Sequence, residues 1–365
     1  MDVWSLCEIS INPRNGAGVD GEVSELRYNP LLRDWTMVAS GRQTRPHLPE
    51  NYCPFCPGSG KVPEHYDVYV YDNDFPALSP TPPEPDNVGS GLYQTAPAYG
   101  KCEVVLYSSD HHMSLPYMPI SGIRRVIDVW TERFEALSAD PRHNYILIFE
   151  NRGEEVGVTM PHPHGQIYAY PYVPQKLRME LDACQAHHHQ YGRCLLCDMN
   201  QSEQEFGVRV VAETVHFLAY IPFFTDYPFG VFIVSKEHLT ALPEMGEDQK
   251  DDLADMLKRV TAGMDRLFDR PFPYMMVLHQ RPSDGADVSA YYHFHIEFYP
   301  PLRDQTKLKY LASSETGAWA PCNPTEVEET APLLREAILQ AVGRSGEGAR
   351  VSSDRAGAEG SVRHG

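Results

Sequence analysis

The chain has 365 residues, 42% of them hydrophobic, which is enough to fill two ordinary domains or one large duplicated one. A formal net charge of −19 excludes broad nucleic-acid binding, which needs clustered Lys and Arg, and no apolar run of 18 residues is available to span a membrane. Met1 to Ile9 lacks the basic-then-apolar order of a signal peptide, so a cytoplasmic enzyme is the expectation.

In chain order, residues 1–20 show no periodicity and read as a flexible N-terminal extension. Cys53-Pro-Phe-Cys56 follows, with Pro54 and Pro57 around it and Gly58-Ser59-Gly60 after it, which suits a metal knuckle and a turn. Residues 74–100 are rich in Pro and Gly and read as a long loop. A β-rich run from Glu103 to Tyr107 leads into Asp110-His111. A helix is predicted from about 121 to 138, because Ile123, Val126, Ile127, Trp130, Phe134 and Leu137 recur at helical spacing. The strand Tyr145 to Phe149 then precedes His162-Pro-His164.

The same order recurs. Cys194-Leu-Leu-Cys197 comes first, then a strand from Gly230 to Val234 leading into Glu237-His238. A helix over about 247–268 carries Leu253, Met256, Leu257, Val260, Met264 and Leu267 on one face. The strand Tyr274 to Leu278 and then His293-Phe-His295 complete the set. A Leu-Pro pair follows each lone histidine at the same offset, Leu115-Pro116 after His111 and Leu242-Pro243 after His238. Several matches in one order indicate duplication of a single unit. The first unit is taken as 21–178 and the second as 179–343. The Gly-, Ser-, Ala- and Arg-rich stretch 344–365 reads as a disordered tail. Strand-rich halves with one long helix each predict an α+β fold, an antiparallel sheet with helices packed on it, and not a doubly wound parallel one.

Each half offers two cysteines and two histidines in the order Cys-x-x-Cys, His, His, and thiolate and imidazole are the commonest donors to zinc. One site is predicted from Cys53, Cys56, His111 and His162, and a second from Cys194, Cys197, His238 and His293. Both have four ligands, so both are expected to be closed and structural. His112 would compete with His111, but the repeat pairs His111 with His238. His187-His188-His189 reads as a solvated helix end. Cys7, Cys102, Cys184 and Cys322 read as buried small hydrophobes.

Pro161-His162-Pro163-His164-Gly165-Gln166 is the most informative stretch. Alternating histidines in extended chain share a face, so His162 can bind metal while His164 points at substrate. Imidazole attacks phosphorus at neutral pH because its free base is populated there. Gln166 can donate its amide N–H to phosphoryl oxygens as charge develops. Gly165 is expected to let the backbone approach the phosphate. The matching place in the second half reads His293-Phe-His295-Ile-Glu297. A carboxylate there would repel phosphate, so that half is expected to keep structure without catalysis.

These residues resemble the histidine-triad superfamily, marked by His-x-His-x-His/Gln segments. With Glu150-Asn151-Arg152-Gly153 ahead of the motif and the duplication, the chain is similar to the galactose-1-phosphate uridylyltransferase family. The match runs from about Tyr28 to Glu315 and includes Tyr28-Asn29-Pro30, Asn73-Asp74-Phe75 and Lys309-Tyr310-Leu311-Ala312. The resemblance implies a duplicated histidine-triad-like unit and a ping-pong exchange. UDP-glucose would leave UMP on His164, and galactose 1-phosphate would take it. By residue match, Arg42, Arg45, Asn73, Asp74, Asn151, Thr159 and Gln166 would hold the nucleotide. Lys309, Tyr310 and Glu315 would hold the sugar phosphate from the partner subunit of a homodimer. Relatives without the second Cys-x-x-Cys build another metal site from a Glu and three His. Glu180, His279 and His295 fall on three of those places and Glu297 on the fourth. The ADP-glucose phosphorylases are similar in layout and attack with the same histidine, which makes them the alternative.

Overall fold

The computed structural model describes the backbone of residues 23–44, 52–89 and 91–358, and side chains as far as residue 343. The first half lays down β1 (Ser24–Asn29), β2 (Asp34–Ala39), β3 (Tyr69–Asp72), β4 (Thr95–Pro97), β5 (Lys101–Leu106), α1 (Ile120–Ser138), β6 (Tyr145–Arg152) and β7 (His164–Tyr170). After α2 (Gln175–Tyr191) and α3 (Leu195–Phe206), the second half adds β8 (Val210–Glu213), β9 (Phe217–Tyr220), β10 (Val231–Ser235), α4 (Glu247–Leu267), β11 (Tyr274–His279) and β12 (His295–Tyr299). Two further helices follow, α5 (Ser313–Ala318) and α6 (Val327–Ala358).

A nine-stranded sheet runs β3-β5-β7-β6-β11-β12-β10-β9-β8, with every neighbouring pair antiparallel. The order β5-β7-β6 is mirrored by β11-β12-β10, so the two halves meet at the central pair of β6 and β11. That pairing sets Phe149 opposite Val277 and Arg152 opposite Tyr274. Arg152 also grips α4 through both carboxylate oxygens of Asp265, at 2.5 and 2.9 Å.

Strand alternation divides the sheet into two faces. Ile146, Ile148, Ile167, Ala169, Ile296 and Phe298 pack under α1, α4 and α6 in the main core, around the fully buried Trp130. Tyr145, Leu147, Phe149, Tyr168 and Tyr170 point to the other face. His164 and Gln166 share that face by the same period. The predicted helices form because their apolar stripes have this core to bury, and Ile123, Val126, Trp130, Phe134, Leu253, Leu257, Val260 and Met264 are all buried.

Four expectations change. Within the long loop of 74–100, β4 pairs with β1, and with β2 they form a separate three-stranded sheet. The stretch 344–358, read as tail, continues α6 as helix. Its Ala, Glu and Arg residues tolerate that conformation. Residues 359–365 and the 1–20 extension lie outside the described residues. Cys102 and Cys184 are buried as expected, but Cys322 is exposed in the segment after α5, where no described residue covers it. Cys7 is outside the described residues. Gly165 faces the helix layer instead of the substrate side. A Cβ there would collide with the Tyr107 hydroxyl, so glycine is needed for packing under the strand.

Candidate active site

The first cysteine pair sits in a turn closed by Cys56 N–H to the Cys53 carbonyl, at 3.3 Å. His111 follows β5, and His162 stands two residues before β7. The His162 Nδ1 lies 3.7 Å from Cys53 Sγ and 3.6 Å from Cys56 Sγ, and the His111 Nδ1 lies 3.2 Å from Cys56 Sγ. With zinc–ligand bonds of about 2.0–2.3 Å, a tetrahedron has edges of about 3.3–3.8 Å. The four donors therefore fit one ion. His162 Nε2 donates to the Ser108 carbonyl at 2.8 Å, which turns Nδ1 toward the sulfurs. Burial pushes the His162 imidazole down to about 4, so it is held in the neutral form a metal ligand requires.

The second quartet repeats this geometry on different local structure. Cys194 caps α3 and Cys197 lies in its first turn. His293 Nδ1 is 3.6 and 3.4 Å from the two sulfurs, and His238 Nδ1 is 3.5 Å from Cys197 Sγ. Each imidazole again donates Nε2 to a backbone carbonyl, His238 to Ser289 at 2.7 Å and His293 to Ser235 at 2.9 Å. Both quartets keep their donor atoms within 4.8 Å of one another. His112 is exposed and outside the first quartet. The 187–189 histidines occupy the last turns of α2, where His187 pairs with Asp198.

His164 opens β7, buried to 9% exposure, and its Nδ1 donates to the His162 carbonyl at 2.7 Å. That hydrogen bond fixes the proton on Nδ1 and the lone pair on Nε2. His164 and Gln166 line a cavity of about 410 Å³ together with Phe55, Asn73, Asp74 and Phe75. Two charged or polar neighbours were not legible as site residues in the sequence. Lys61 pairs with Asp74 at 2.7 Å, and Tyr71 donates its hydroxyl to the same carboxylate at 2.6 Å. Tyr168 lies on the His164 face by strand alternation, a signal the sequence did contain. Its hydroxyl donates to Gln166 Oε1 at a long 3.5 Å and accepts from Arg42 Nη1 at 3.2 Å. The contact leaves the Gln166 amide N–H groups as the donors available to an anion.

The other expected site residues divide into groups. Arg42 also donates to the Phe75 carbonyl at 3.1 Å, and Asn73 accepts from Phe75 N–H at 2.9 Å, so both brace the segment that walls the cavity. Asn151 lines a larger neighbouring cavity of about 860 Å³. Thr159 Oγ1 is buried with no hydrogen-bond partner among the described residues. Lys309 is buried with its Nζ 4.0 Å from Glu315 and 5.1 Å above the Tyr227 ring, while Tyr310 is exposed. None of Lys309, Tyr310 and Glu315 lines the His164 cavity. Arg45 lies outside the described residues. Glu180, His279 and His295 gather in one cluster, and Glu180 and His295 line the larger cavity together with Glu297. Among the described residues no helix is long and apolar enough to cross a membrane.

The chain matches the families described as galactose-1-phosphate uridyl transferase, N-terminal domain, over residues 18–174, and C-terminal domain, over residues 180–312. It is 44% identical over 317 residues to the galactose-1-phosphate uridylyltransferase of Thermotoga maritima, an alignment covering 87% of this chain and 99% of that one. Against the Rattus norvegicus enzyme of the same name the identity is 33% over 338 residues, covering 86% and 88%. A solved uridylyltransferase superposes with a TM-score of 0.79 at 33% identity, covering 87% of this chain and 99% of that one. An ADP-glucose phosphorylase from Arabidopsis thaliana with bound ADP-glucose gives 0.66 at 26% identity, covering 86% and 99%. Both halves of the sheet thus fall within one matched pair of domains, and the chain belongs to the galactose-1-phosphate uridylyltransferase family.

Proposed function

We propose that this chain transfers UMP from UDP-glucose to galactose 1-phosphate through a covalent uridylyl adduct on His164. The observation that carries the reading is the hydrogen bond from His164 Nδ1 to the His162 carbonyl, which leaves the nucleophilic lone pair on Nε2 at a cavity wall. In the first step Nε2 attacks the α-phosphorus of UDP-glucose. A phosphorus–nitrogen bond forms, the bond to the bridging oxygen breaks, and glucose 1-phosphate departs with that oxygen. In the second step a phosphate oxygen of galactose 1-phosphate attacks the same phosphorus. The phosphorus–nitrogen bond breaks, UDP-galactose leaves and His164 Nε2 regains its lone pair.

Gln166 donates to the non-bridging oxygens as charge develops on them. Arg42, Arg45, Asn73, Asp74, Asn151 and Thr159 complete the nucleotide's contacts. Lys309, Tyr310 and Glu315 hold the sugar phosphate in the other subunit of a homodimer. Their separation from the His164 cavity within one chain supports that reading. Cys53, Cys56, His111 and His162 hold one zinc ion, and Cys194, Cys197, His238 and His293 hold another. The first ion would fix the segment leading into the nucleophile. Incubation with UDP-glucose and with ADP-glucose separately, followed by intact mass measurement, tests the base. UMP-sized labelling from UDP-glucose alone is expected. AMP-sized labelling from ADP-glucose alone would make the chain an ADP-glucose enzyme.

A further inference from the structure

The second half gathers an ion cluster on the sheet face that carries the nucleophile in the first half. Lys176 and Glu180 come from the first turns of α2, His279 ends β11, and His295 and Glu297 lie on β12. His279 Nδ1 is 2.8 Å from Glu180 Oε2 and its Nε2 is 3.7 Å from Glu297 Oε2. His295 Nε2 is 3.2 Å from Glu297 Oε1, and its Nδ1 is 3.0 Å from the His293 carbonyl. Lys176 Nζ lies 2.6 Å from Glu297 Oε2 and 3.7 Å from Glu180 Oε1. Tyr299 also donates its hydroxyl to Glu297.

Glu180, His279 and His295 bring ligand atoms within 4.8 Å, close enough to hold an ion by distance alone. Their hydrogen bonding argues the other way. In the two cysteine sites each imidazole turns Nδ1 toward thiols, and a pair of thiolates needs a cation to be stable there. In this cluster one nitrogen of each imidazole, His279 Nδ1 and His295 Nε2, faces a carboxylate, and an ammonium touches both carboxylates. His279, His295 and Glu297 are deeply buried, whereas Lys176 is exposed. Lys176 reaches in from the 860 Å³ cavity, with its Nζ 4.7 Å from the centre of the Tyr299 ring. It is the removable member, and the route it occupies is open to solvent.

We propose that the Lys176 ammonium is the resident cation of this cluster. It keeps metal-free a nitrogen–oxygen donor set that binds a divalent ion of the Mn²⁺ or Fe²⁺ class once the ammonium is gone. Two carboxylates among buried imidazoles require a positive charge in their midst, and side chain and ion compete for that role. The inference does not depend on which nucleotide the first half carries.

Mn²⁺ is the probe, because it prefers oxygen and nitrogen ligands and stands lowest in the divalent affinity order, so it leaves thiolate-bound zinc in place. The electron paramagnetic resonance signal of free Mn²⁺ is titrated with the zinc-loaded full chain. Lys176→Met is expected to bind one Mn²⁺ per chain more than wild type, and Lys176→Met with Glu297→Gln to return to the wild-type count. Lys176→Gln carries the same expectation should the methionine variant fail to fold. Wild type that binds Mn²⁺ in a manner lost in Glu297→Gln would overturn the proposal. So would a neutral variant at 176 that melts like wild type and takes up no additional ion.

Discussion

The two halves agree down to single hydrogen bonds and then separate at a few positions along two strands. In each, the second histidine of the pair donates Nδ1 to the carbonyl of the first, at 2.7 Å for His164 and 3.0 Å for His295. In each, the first histidine is anchored through Nε2 to a backbone carbonyl. Gln166 in β7 accepts from the Tyr168 hydroxyl at a long 3.5 Å, whereas Glu297 in β12 engages Nε2 of its own histidine at 3.2 Å. The layer beneath differs as well. Glu150 stands opposite Gly165, with Tyr107 and Tyr274 beside it, where the second half buries Leu278 opposite Ile296. The duplication therefore kept the scaffold and the Cys/His quartets, and changed side chains on two neighbouring strands.

The strongest way to break this comparison is to exchange the histidines' fates. His164→Ala should abolish the nucleotide adduct while leaving the fold intact, and His295→Ala should leave the adduct in place. Intact mass after exposure to UDP-glucose reads both. An adduct that survives in His164→Ala and vanishes in His295→Ala would reverse the assignment of the halves.

The metal quartets separate the halves less sharply. Cys53→Ser and Cys194→Ser should each lose one zinc by elemental analysis. The first should also slow transfer about 10–100-fold, because His162 lies two residues from His164 and its anchoring is disturbed. The second should lose stability but keep its transfer rate per folded chain. Equal losses of rate would show that the second quartet also positions the nucleophile.

The last effect is expected in stability and not in transfer, and comes from the buried carboxyl. Burial raises Glu150 to about 7. A carboxyl whose folded value lies above its unfolded one favours the fold at low pH, and that contribution fades as pH climbs from about 4.5 through about 7. Each unit of such a shift corresponds to about 1.4 kcal/mol. Glu150→Gln should therefore flatten the decline in melting temperature between those pH values. A variant whose melting profile parallels wild type across that window would mean that Glu150 does not titrate there.

Much of the site was legible because the chemistry demands rare residues at fixed spacing. Two Cys-x-x-Cys pairs, each followed by two histidines in the same order, leave few ways to assemble a tetrahedron. The alternation of His162 and His164 set two imidazoles on one face, and the same period carried on to Tyr168 went unread. Less was legible where burial is sparse. Only Leu177 and Cys184 are buried in α2, so that helix carries almost no apolar stripe to announce itself. The small sheet of β1, β2 and β4 likewise rests on a three-residue strand in a Pro-rich stretch. Lys176 looks like any surface lysine in sequence, because its meaning lies in Glu180 and Glu297, the second of which is far along the chain. Gly165 was identified correctly as special, but its neighbour Tyr107 explains why.

The junction of β6 and β11 carries a consequence for how the molecule can be divided. Cut between its halves, the chain would bare a long inner strand on each fragment, with a row of unsatisfied N–H and C=O groups facing water. Among the described residues the intact sheet ends on β3, four residues long, and on β8, whose pairing with β9 is broken by a register shift between Val210 and Ala212. Short and irregular margins of that kind resist aggregation, whereas the severed centre would template it. Neither half can be dispensed with, because each covers the strand edge of the other.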